Sequence, residues 1–92
     1  MNLELSWLTA ISPIDGRYGA KTSELRNITS EYGLIYHRVL IELRWFEFLA
    51  SHSEIAEVPP LGAEAEGIIQ GVIENFSIGD AQRVKTIEST TN

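Results

Sequence analysis

Between about Ser30 and His52 apolar side chains return every three or four positions: Tyr32, Ile35, Tyr36, Val39, Leu43, Phe46 and Ala50. That spacing aligns them along one face of an α-helix. Thr29 or Ser30 offers a side-chain oxygen to the free amides at its start. A helix of about 23 residues is about 34 Å long, the span of a whole small domain. The same segment carries a second apolar row, Leu34, Ile41, Trp45 and Phe48, roughly opposite the first when each residue advances about 100 degrees. A helix apolar on two sides needs cover on two sides, and the remaining segments are too few to supply it easily. The pattern predicts a two-faced spine in a chain that is incomplete or oligomeric.

Downstream, Pro59-Pro60-Leu61-Gly62 interrupts any helix and forms a connector. Ala65, Ile68, Ile69, Val72, Ile73 and Phe76 then make a stripe that predicts an amphipathic helix over 63–76. Gly67 and Gly71 lie on its opposite face, where they either admit a neighbouring backbone or are tolerated in solvent. Ser77-Ile78-Gly79-Asp80 has the form of a capping box, which predicts a last helix through Ala81, Val84 and Ile87 to about Thr91. Its apolar stripe is thin. Lys85 and Glu88 are placed to pair along it. Upstream, Lys21 to Ile28 predicts a short helix with Leu25 and Ile28 inward, broken near 27–29, and residues 1–20 carry turn chemistry and isolated apolar anchors. No segment alternates at period two long enough to argue a strand. The expected class is all-α, an extended N-terminal arm followed by a small helical domain of about three to four helices.

Composition narrows the functional classes. Ninety-two residues make one small domain with a modest core. A net charge of −6, thirteen acids against seven bases, repels phosphate backbones and argues against nucleic acid as a partner. The absence of cysteine rules out a disulfide framework or thiolate metal site. The N-terminus lacks the basic and apolar regions of a signal peptide, and no window reaches membrane-spanning length, so the cytoplasm is the expected compartment and no membrane partner is expected. His37 and His52 lack metal spacing and read as surface or interface residues, and Glu54 and Glu57 as solvated charges. No cofactor or metal site emerges.

The chemically informative stretch is Ser12-Pro13-Ile14-Asp15-Gly16-Arg17-Tyr18-Gly19. Proline and the Asp-Gly pair build a turn from which Arg17 and Tyr18 emerge side by side. A guanidinium offers a rigid fork of donors to phosphate or carboxylate, and the phenol adds one more. Alternatively, Arg17 folds back on Asp15 while Tyr18 packs on a helix.

At the far end stands Lys85-Thr86-Ile87-Glu88-Ser89-Thr90-Thr91-Asn92. The order and spacing of the two segments resemble adenylosuccinate lyase, where an S-P-x-D-G-R-Y opening precedes a K-T-I-E-x-T-T-N segment that leads into His-Asp. The resemblance covers all 92 residues at that family's N-terminus. It implies a longer chain, of which residues 1–92 are the N-terminal helical domain, within a superfamily of homotetrameric lyases that release fumarate from sites built by three subunits. It further implies a nucleotide substrate, with Arg17 and Tyr18 at its phosphate and Asn92 opening the substrate-binding Asn-His-Asp segment. The family's acid, base and mobile loop match no residue here, so catalytic residues are expected to be absent and these residues alone inactive. The competing reading is a non-catalytic helical interaction module that grips a partner helix with the second apolar row, Arg17 being structural. Neither reading states a preference between adenylosuccinate and the succinyl-carboxamide ribotide.

Overall fold

The computed structural model describes residues 2–91, and among them every regular element is helical. A 3-10 turn at Ser23–Leu25 runs into α1, Arg26–Thr29; then come α2, Glu31–Ser51, α3, Ala63–Asn75, and α4, Ile78–Glu88. Two compact units divide the chain, one through Gly33 and one from Leu34 onward.

In the first unit, residues 2–5 are irregular and 6–22 wind through successive turns and bends, so the expected arm is coiled over most of its length. The helix expected over 21–28 is shorter and later, and breaks at Ser30, whose ψ of 169° is extended. Ser30 Oγ accepts the amide of Gly33 at 3.1 Å, the capping role expected of it, and donates to the Arg26 carbonyl. A β-carbon at Gly33 would sit 2.6 Å from the Ile28 carbonyl oxygen and 2.7 Å from that of Asn27, so the tight exit from α1 into α2 needs a residue without one. Leu25 and Ile28, expected inward, are 50% and 60% exposed. Two short turns of helix provide no facing surface to bury them.

The second unit is built on α2. One face carries Ile35 and Ala50, 3% and 4% exposed, with Tyr36, Val39 and Leu43 partly covered. α3 and α4 reach this helix through side chains. The Tyr36 hydroxyl donates to the Ile73 carbonyl at 3.3 Å, its ring lies 5.6 Å from that of Phe76, and Arg38 meets Glu88 of α4 at 3.0 Å. The opposite face is bare: Leu34, Ile41, Trp45 and Phe48 are all exposed, and the last two stack at 5.5 Å with planes 15° apart. Four of the six residues of the stripe expected on α3 turn inward. Ile69 is buried, with Ala65, Ile73 and Phe76 partly so, whereas Ile68 and Val72 lie on an exposed shoulder. The two rows diverge because a single facing element covers a narrower arc than the stripe subtends. Gly67 and Gly71 face open space.

α4 begins as its sequence predicts. Ser77 Oγ accepts from the Asp80 amide at 3.2 Å while the Asp80 carboxylate accepts from the Ser77 amide at 2.9 Å, a reciprocal cap that satisfies two otherwise free donors. Ala81 is buried and Val84 partly covered, the thin stripe anticipated.

Candidate functional site

The Ser12–Gly19 stretch folds as interlocking turns. The Ser12 carbonyl accepts from the Gly16 amide at 3.0 Å, the Pro13 carbonyl from Tyr18 at 2.8 Å, and the Gly16 carbonyl from Gly19 at 3.0 Å. Thr22 closes the series, its amide and its hydroxyl each donating to the Tyr18 carbonyl at 3.0 Å.

Asp15 belongs to this framework and not to Arg17. Its Oδ1 accepts from the Ser12 amide at 2.9 Å and from the Ser12 hydroxyl at 3.1 Å. The Ser12 amide, foremost among these donors, holds the Asp15 carboxyl below its ordinary pKa of 3.8, because a donor aimed at the charged form favours it. The Asp15–Arg17 pair weighed from sequence therefore does not form. Among the described residues Arg17 makes neither a hydrogen bond nor an ion pair; its guanidinium carbon lies 5.9 Å from the centre of the Tyr18 ring.

Arg17 and Tyr18 are accordingly brought together and turned outward, Tyr18 being 43% exposed. Gly16 and Gly19, on either side of them, are buried. Arg17 also edges an open cleft of about 460 Å³ whose other walls include Trp7, Leu8, Ile11 and Pro13. A fork of unengaged donors beside an apolar wall suits an anionic group carried on a less polar body.

Two neighbours brace this turn: Trp7, one of the apolar anchors expected along the arm, and Arg26, to which no motif in the sequence points. Trp7 lies across the turn, its carbonyl oxygen closing on Gly16 and its indole on Gly19. Arg26 lies over the indole, with its guanidinium carbon 5.1 Å from the ring centre and Nη2 donating to the Gly19 carbonyl at 3.4 Å. A tryptophan upstream of two glycines that bracket an adjacent Arg-Tyr pair is a signal the sequence contains, though separations of nine and twelve residues hide it from periodicity.

The far segment lies in the second unit. Lys85 to Glu88 form the last turn of α4, and the hydroxyls of Ser89, Thr90 and Thr91 turn back onto helix carbonyls, Ser89 onto Thr86 and the threonines onto Ile87. Asn92, the third expected substrate contact, lies outside the described residues. His37 sits half-buried on α2 with its ring edge-on to Tyr36 at 5.2 Å, and His52 accepts the Glu54 amide just beyond that helix. Glu54 and Glu57 are exposed.

No family model matches the chain. Individual proteins do. Over 90 residues, 98% of this chain, it is 56% identical to an adenylosuccinate lyase of Escherichia coli, 53% identical to one of Vibrio cholerae and 43% identical to one of Legionella pneumophila. In each case the match takes in 20% of the relative, so the chain spans about a fifth of the length of the curated proteins it resembles. No helix among the described residues is long and apolar enough to cross a membrane.

Proposed function

The chain is homologous to part of adenylosuccinate lyase, and on that premise we propose that residues 1–92 act as the N-terminal helical domain of a longer lyase. The proposed reaction is the splitting of adenylosuccinate into AMP and fumarate, with the succinyl-carboxamide ribotide of purine synthesis split likewise. A base takes the proton from carbon next to a carboxylate, the carbon–nitrogen bond breaks, and an acid protonates the leaving nitrogen. This segment contributes neither acid nor base. Its part is to bind: Arg17 and Tyr18 grip the nucleotide phosphate, and Asn92 opens a further substrate-binding segment. The enzyme works as a cytoplasmic homotetramer, and the bare row on α2 is covered in that assembly.

The observation that carries the binding role is Arg17 itself, exposed at a cleft and, among the described residues, engaged in neither hydrogen bond nor ion pair, while the neighbouring carboxylate is bound elsewhere. An arginine needed for the turn would be engaged in it. The test is made in the whole enzyme. Arg17→Ala should weaken substrate binding by roughly 2–4 kcal/mol with an unchanged melting temperature, Arg17→Lys less, and Tyr18→Phe by about 1 kcal/mol. Undiminished affinity together with lowered stability for Arg17→Ala defeats the assignment.

The exposed row of Leu34, Ile41, Trp45 and Phe48 favours a second reading, a non-catalytic module that binds a partner helix. Fumarate release by the purified whole protein separates the two, since an interaction module produces none.

A further inference from the structure

The Arg17–Tyr18 pair is presented outward by a contact that its own turn does not supply. Four consecutive residues alternate between support and display: Gly16 and Gly19 are buried, Arg17 and Tyr18 exposed. Both buried glycines are covered by the same residue, Trp7, its backbone carbonyl on the first and its six-membered ring on the second. The hydrogen bonds within the turn fix its path, but they run along the backbone and leave its face open. Trp7 closes that face.

We infer that Trp7, held by Arg26, is a positioning residue for the anion-binding pair. The role presupposes that Arg17 and Tyr18 bind the substrate phosphate. Arg26 lies over the indole and bonds the Gly19 carbonyl, so one guanidinium ties the clasp to the residue it covers. With the indole seated on Gly19, the peptides on either side of Arg17 and Tyr18 cannot rotate freely, and the two side chains leave the backbone at a set angle. Phosphate is bound by a planar fork whose fit depends on that angle. Neither Trp7 nor Arg26 needs to touch the ligand. Removing the indole leaves every donor in place and relaxes only their alignment.

The experiment compares Trp7→Ala, Trp7→Phe, Gly19→Ala, Arg17→Ala and the Trp7→Ala/Arg17→Ala double variant in the whole enzyme. For each, KM and kcat with adenylosuccinate, the inhibition constant of inorganic phosphate and the melting temperature are measured. Trp7→Ala should raise KM and the phosphate constant about tenfold with kcat within about twofold, since binding and not chemistry is disturbed. Trp7→Phe restores most of the loss, because a ring still covers Gly19. In the Arg17→Ala background the same Trp7→Ala change should add less than about twofold, there being no guanidinium left to align. A residue that only stabilised the fold would lower the melting temperature and act equally in both backgrounds. If Trp7→Ala does not yield folded enzyme, Gly19→Ala is read in its place, since its new methyl group displaces the ring.

The failures are distinguishable. Raised KM for Arg17→Ala with unchanged KM for Trp7→Ala overturns the positioning role alone, as does an equal Trp7 effect in both backgrounds. A silent Arg17→Ala overturns the phosphate reading and the positioning role together.

Discussion

The two units of this chain fail under opposite changes. Among the described residues through Gly33 no apolar side chain is buried; the covered residues are Gly16, Gly19 and Gly33, and the structure is held by turn hydrogen bonds and one indole. From Leu34 onward the buried residues are Ile35, Ala50, Ile69 and Ala81, and the elements are helices that meet through side chains. The first unit is damaged by adding a carbon and the second by removing several. A backbone scaffold places side chains outward with little volume of its own, which suits a binding turn, whereas helices need filled space between them.

The contrast can be broken most sharply at Ile35. Ile35→Ala should cost about 3 kcal/mol in denaturant unfolding of the whole protein, through lost burial and the cavity left behind. On the other face of α2, Ile41→Ala should cost a comparable amount in the whole protein, where the proposed tetramer covers the row. An Ile41 effect below about 0.5 kcal/mol would mean that the row stays bare in the assembled protein, against the tetramer reading. Gly33→Ala comes next, at about 1–2 kcal/mol, because its methyl group meets two fixed carbonyl oxygens and the joint must open to admit it. Ser77→Ala removes half of a reciprocal cap and should cost about 1 kcal/mol, read as lost helicity near α4 by amide exchange.

The smallest effect is expected at Asp15, whose charge is exposed. Its folded-state pKa lies below the ordinary 3.8, so the stabilisation is present above that value and is lost as pH falls through the depressed one. Asp15→Asn should therefore lower stability at neutral pH, with the gap from wild type closing below about pH 4. A gap that stays constant down to pH 2 would show that the amide replaces the carboxylate bond for bond.

How much of this was legible beforehand depended on the range of the interactions. The capping box of α4 and the Ser30 cap involve residues three apart, and both stand as read. The course of α2 and its two apolar rows follow from local periodicity, and their burial divides as that pattern implies except at Phe46, expected on the covered face but exposed. Ile68 and Val72 were assigned to a buried stripe because periodicity reports a helix face but not the width of whatever covers it. Leu25 and Ile28 failed for the same reason. At the Ser12–Gly19 turn the outward pair is visible in the motif, but Asp15 choosing Ser12 over Arg17 depends on backbone amide geometry that residue types do not encode. The reach of Trp7 over twelve residues to Gly19 is tertiary and has no periodic trace.

The absence of buried apolar side chains among the described residues before Gly33 also governs how that region answers to temperature. The heat capacity of unfolding comes mainly from apolar surface newly wetted, while exposure of polar groups offsets it. Opening the Ser12–Gly19 turn wets little beyond the indole of Trp7 and many peptide groups. Its stability should thus fall almost linearly on warming, without the curvature that packing around Ile35 and Ile69 gives the helical unit, and chilling should steady the turn rather than loosen it.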